Sequence, residues 1–60
     1  MKAGDLVRWR ADDSRGVILQ SRIINKITGN SIVYILWFDG NQAGPIEDNH
    51  KELELISESR

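Results

Sequence analysis

Ser31-Ile32-Val33-Tyr34-Ile35-Leu36-Trp37-Phe38-Asp39-Gly40 decides the reading of this chain. Side chains of an extended segment alternate between two faces. Ile32, Tyr34, Leu36 and Phe38 therefore share one face, and Val33, Ile35 and Trp37 share the other. Both faces are apolar, which predicts a strand in the middle of a sheet, over Ser31–Phe38, with Asp39-Gly40 as the tight turn after it. Only one face can point into a core. Counting favours the four-membered set as core and puts Trp37 on a contact surface. The outer face must then be covered, either by the 25–30 loop with Ile27 or by a partner.

Before this strand, Thr28-Gly29-Asn30 carries hairpin chemistry, because Gly and Asn tolerate positive φ. It predicts a second strand over Val17–Ile24. Further back, Ala11–Gly16 reads as a polar loop, with a local ion pair in Asp12-Asp13-x-Arg15. The first strand falls over Asp5–Arg10, where Val7 and Trp9 alternate with Arg8 and Arg10. On the other side, Asn41–Ala43 forms a short fourth strand that Gly44-Pro45 ends. Glu47–Glu52 holds one helical or 3-10 turn, and Leu53–Ile56 is the last strand. Ser57–Arg60 reads as a frayed tail.

Sixty residues permit one domain, 1–60. Five short strands in that length, with one turn of helix before the last, predict an all-β, five-stranded antiparallel small barrel, whose closure would hide the sheet edges. The longest apolar run, Ile32–Phe38, falls far short of the roughly 18 to 20 residues that cross a bilayer, so no membrane role is expected. Met1 followed by Lys2-Ala3-Gly4-Asp5 does not read as a signal peptide, and the absence of cysteine suits a reducing cytoplasm. Without disulfide or metal staples, a domain this small is a candidate for self-association.

Four segments carry a resemblance. They are Gly4-Asp5-Leu6-Val7-Arg8-Trp9, Gly16-Val17-Ile18-Leu19, Tyr34-Ile35-Leu36-Trp37-Phe38-Asp39-Gly40 and Glu52-Leu53-Glu54-Leu55-Ile56. Together they resemble the SH3-like small-barrel family, most of all the short stand-alone barrels of tailed phages, including cyanophages. KOW and Tudor barrels are similar more weakly. The chain lacks the lysine-rich loops of the former, and the tyrosine that the latter place between the Asp and Gly of the turn. The resemblance implies a phage-encoded accessory module, without cofactor or metal, that works by contact in the host cytoplasm.

Residues that could carry chemistry are few. His50 has no nucleophile beside it and reads as a solvated loop histidine. The five glycines are spaced as turn markers rather than as a phosphate cradle, and no enzyme is expected. The candidate partner contact is Tyr34, Trp37, Phe38, Asp39 and Asn41. The candidate basic patch is Arg8, Arg10 and Arg22. Residues 1–30 hold six cations against three carboxylates, and residues 31–60 hold two against six, an asymmetry suited to head-to-tail association. The net charge of −1 argues against strong, sequence-independent nucleic-acid binding, which needs a surplus of cations. The expected function is non-enzymatic protein–protein contact, including contact with a second copy. Weak nucleic-acid binding through the three arginines and an exposed aromatic is the alternative.

Overall fold

The computed structural model describes residues 1–58. Five strands follow in order: β1 Leu6–Trp9, β2 Ser14–Asn25, β3 Asn30–Trp37, β4 Gln42–Glu47 and β5 Leu53–Ser57. All pairings are antiparallel, in one sheet of order β4-β3-β2-β1-β5. The fold is all-β. No pairing joins β4 to β5 among the described residues, so the sheet is open and these two strands are its edges. The turn expected at Glu47–Glu52 consists of two successive hydrogen-bonded turns and no helix: the His50 amide donates to the Glu47 carbonyl, and the Leu53 amide to the His50 carbonyl. Ser57 belongs to β5, paired with Leu6; Ser59 and Arg60 lie outside the described residues.

The core sits on one side of the sheet. Val7, Ile18, Val33, Ile35 and Leu53 are buried, and Met1, Trp9, Trp37, Ile46 and Leu55 pack around them. Ile46 and Leu55 come from the two edge strands yet share this cluster, so the sheet curls around it. Bulges accompany the curl. The register of β2 against β3 shifts at Leu19, between Ile18 and Gln20, and β3 against β4 shifts between Val33 and Ile35.

Counting apolar residues on β3 selected the wrong face. Val33 and Ile35 are fully buried, and Trp37 packs beside them. Ile32, Tyr34 and Leu36 are half-buried on the outer side, and Phe38 is exposed. Space, rather than number, decides the choice. The compact, β-branched Val33 and Ile35 fill the tightly curled middle of the sheet, and the large Trp37 ring stands at the end of the strand, at the core's margin. Nor does the 25–30 loop cover the outer face, since Ile27 is 97% exposed.

Two further boundaries differ. Arg15 and Gly16 belong to β2, not to a loop, because β1 pairs as far as Trp9 opposite Ser14. The fourth strand does not stop at Ala43; it runs through Gly44-Pro45 to Glu47. An edge strand tolerates a residue without an N–H. The register shift leaves Gly44 and Pro45 outside the paired positions, against Tyr34.

Candidate contact site

Trp9 ends β1 and Trp37 ends β3, on the same side of the sheet with β2 between them. Their rings meet edge to face, centroids 6.4 Å apart at 79°. Gly16 permits this. It pairs with Val7 on one side and with Trp37 on the other. A Cβ at Gly16 would stand 2.9 Å from Trp37 Cε3 and 2.6 Å from the Leu36 carbonyl oxygen. The bare backbone therefore lets the Trp37 ring reach toward Trp9 across the middle strand.

A cleft of about 400 Å³ opens beside the two indoles, within the range of small-ligand sites. The β1–β2 turn contributes Asp12, the start of β2 Ser14, the β3–β4 turn Asp39 and Asn41, and β4 Gln42, Ala43 and Ile46. Each carboxylate is fixed by its own turn. Asp12 Oδ1 accepts from the Ser14 amide at 3.0 Å. That bond holds the Asp12 carboxyl below the usual carboxylate range, despite partial desolvation. Asp39 Oδ1 accepts from the Asn41 amide at 3.0 Å, and its Oδ2 from Asn41 Nδ2 at 3.2 Å. The lining holds two carboxylates, two indoles and no cation. Such a surface suits a positively charged group, which aromatic faces attract and carboxylates neutralise.

His50 is not a free loop residue. Its ring lies 4.7 Å from that of Trp9, and its Nδ1 accepts from the Glu52 amide at 3.1 Å. It braces Trp9 without lining the cleft. No group of three or more His, Cys, Asp or Glu among the described residues is placed to hold a metal ion.

Of the expected contact residues, the structure brings together Trp37, Asp39 and Asn41. Tyr34 lies on the outer side against Gly44, and Phe38 projects, 68% exposed, with its amide donating to the Arg15 carbonyl. Trp9, Asp12, Ser14 and Gln42 were missed as site residues. Trp9 precedes the first turn and Asp12 lies within it, as Trp37 precedes the third and Asp39 lies within it, a parallel visible in the sequence.

The basic patch is divided. Arg8 donates to Asp13 at 2.9 Å and to Glu54 at 2.8 Å; Arg10 donates to Glu54 at 3.2 Å and to the Lys51 carbonyl. The bond from Arg8 is the main cause holding Glu54 below its ordinary range, and Glu54 in turn raises Arg8. Asp13 thus pairs with Arg8, not within its own loop. Arg22 stands opposite Ile32, five residues beyond the last β2 residue paired with β1, about 16 Å along an extended strand.

Comparison with protein-family models, with curated proteins and with solved structures yields no match. No helix among the described residues is long and apolar enough to cross a membrane.

Proposed function

We propose that this chain is a non-enzymatic contact module of the SH3-like small-barrel kind, an accessory protein that binds another protein by taking a cationic side chain into the cleft beside Trp9 and Trp37. The single supporting observation is the cleft, whose lining holds two crossed indoles, two turn-fixed carboxylates and no cation among the described residues. The barrel reading is supported by the curl of the sheet and by the return of β5 to β1. The tailed-phage origin rests on the sequence resemblance alone.

The nucleic-acid alternative has less support. Arg8 and Arg10 are already engaged by carboxylates, and Arg22 is far along β2. Phosphate binding needs cations that are free to neutralise it.

Tryptophan fluorescence tests the proposal. Titration with N-acetyl-lysine methylamide, or its trimethylated form, should shift the emission saturably. The Nε-acetylated analogue, which has no charge, should give at least tenfold weaker binding. Equal responses to the charged and neutral compounds would overturn the proposal.

A further inference from the structure

The β2–β3 hairpin carries the cleft at one end and an unusual tip at the other. Past Ile18 on β2 and Ser31 on β3, no third strand or turn flanks it among the described residues. The free end presents Ile23, Ile24 and Ile27, exposed by 65%, 56% and 97%. Lys26 sits among them and Arg22 just behind. Residues 14–38 contain three cations and no carboxylate, so nothing on the hairpin neutralises the tip.

The tip is also preformed. Asn25 Oδ1 accepts from the amides of Ile27, at 3.0 Å, and Thr28, at 3.4 Å. The Gly29 amide donates to the Asn25 carbonyl at 2.9 Å, with Gly29 at φ +77°. A preordered apolar finger with a lysine at its end loses little conformational freedom on docking.

The finger and the cleft are complementary in charge and chemistry, one cationic and aliphatic, the other anionic and aromatic. They sit toward opposite ends of β2: Ser14 borders the cleft, and Asn25, eleven residues further along, begins the tip. The pairing of β2 with β3 between them holds the tip away from its own cleft. We infer that the cleft receives Lys26 from the β2–β3 tip of a second copy of this chain, giving head-to-tail association. Ile24 and Ile27 flank that lysine and cover the rim. The inference rests on the cation-binding reading of the cleft. A finger and a socket at opposite ends make a heterologous contact, which adds copies in rows or rings instead of stopping at a symmetric pair. The contact is small, so association is weak, on the order of tens to hundreds of micromolar, and falls as salt rises.

Sedimentation velocity on the full chain and two variants tests this. Lys26→Glu disables the finger at an exposed position. Asp12→Asn with Asp39→Asn removes the charge of the cleft while keeping an oxygen for the bonds from the Ser14 and Asn41 amides. The wild-type mass should rise with concentration, and each variant should stay monomeric. An equimolar mixture of the two variants should form a one-to-one heterodimer and nothing larger, because it contains one intact finger and one intact cleft. A monomeric wild type, a Lys26→Glu variant that associates as the wild type does, or a mixture that stays monomeric would overturn the inference. If the wild type is monomeric but its fluorescence still responds to capped lysine, the cleft reading stands and only the second copy is lost. If neither response occurs, both fail. A monomeric chain that binds phosphatidylserine vesicles through Lys26 would assign the tip to a lipid surface instead.

Discussion

Gly16 lies directly opposite Trp37 in the β2–β3 ladder, and the space where its side chain would stand is crowded by the Trp37 ring, the Ile35 side chain and, nearest of all, the Leu36 carbonyl oxygen. One backbone position thus couples the curl of the sheet to the shape of the cleft. Gly16→Ala should destabilise the fold by about 1–3 kcal/mol, the range for overpacking a filled interior. It should also shift tryptophan emission in the native state. Urea melts followed by fluorescence measure both. An unchanged midpoint would mean that β3 around Leu36 and Trp37 shifts aside freely.

Trp37 both packs on the core and lines the cleft. Trp37→Ala should therefore cost about 2–3 kcal/mol, less than the 3–5 kcal/mol of a fully buried aromatic. Trp9→Ala should cost a similar amount, since Trp9 also contacts the core cluster and is stacked on His50. Denaturant melts of the two variants make the comparison. A large loss in one and none in the other would contradict the shared placement.

How much of this was legible beforehand follows from particular residues. The hairpin chemistry at Thr28-Gly29-Asn30 and Asp39-Gly40 placed β2, β3 and the turns between strands to within a few residues. The buried face of β3 was not legible, because alternation defines two faces without saying which is inside. That choice depends on Gly16 and on the curl, which only the paired strands reveal. A third of the cleft lining was legible, at Trp37, Asp39 and Asn41. The rest comes from β4 and from the residues around the β1–β2 turn, the latter brought near by the long-range contact of Trp9 with Trp37. The pairing of Arg8 with Glu54 joins positions 46 apart in sequence and left no local trace.

Acid should act through that pair. Glu54 is held below its ordinary carboxylate range in the fold, chiefly by the hydrogen bond from Arg8. Its contribution is fully present above the ordinary carboxylate range and is lost as pH falls through the lowered folded value. Stability followed by urea melts should fall on acidification through that interval, and less so in Glu54→Gln. An identical acid-side decline in both proteins would show that the pair does not contribute. The effect should be modest and shrink in high salt, because the pair is still about one-third exposed, at 33% and 35%.

His50→Ala removes the brace behind Trp9 and leaves the part-buried Glu52 amide without its acceptor. A loss of about 1–3 kcal/mol is expected from an unsatisfied donor. Thermal melts measure it. His50→Asn, which keeps an acceptor at similar reach, should recover part of the loss; no recovery would assign the effect to ring stacking alone.

The claim that the Trp9–Trp37 cleft receives a cation is tested most directly by NMR of the two indole N–H groups. In a ¹⁵N-labelled sample, N-acetyl-lysine methylamide should move both indole resonances, along with the amides of Asp12, Asp39 and Asn41, in one saturable process that Asp12→Asn with Asp39→Asn abolishes. Indole resonances that stay fixed, or that move equally with the uncharged acetylated compound, would contradict it.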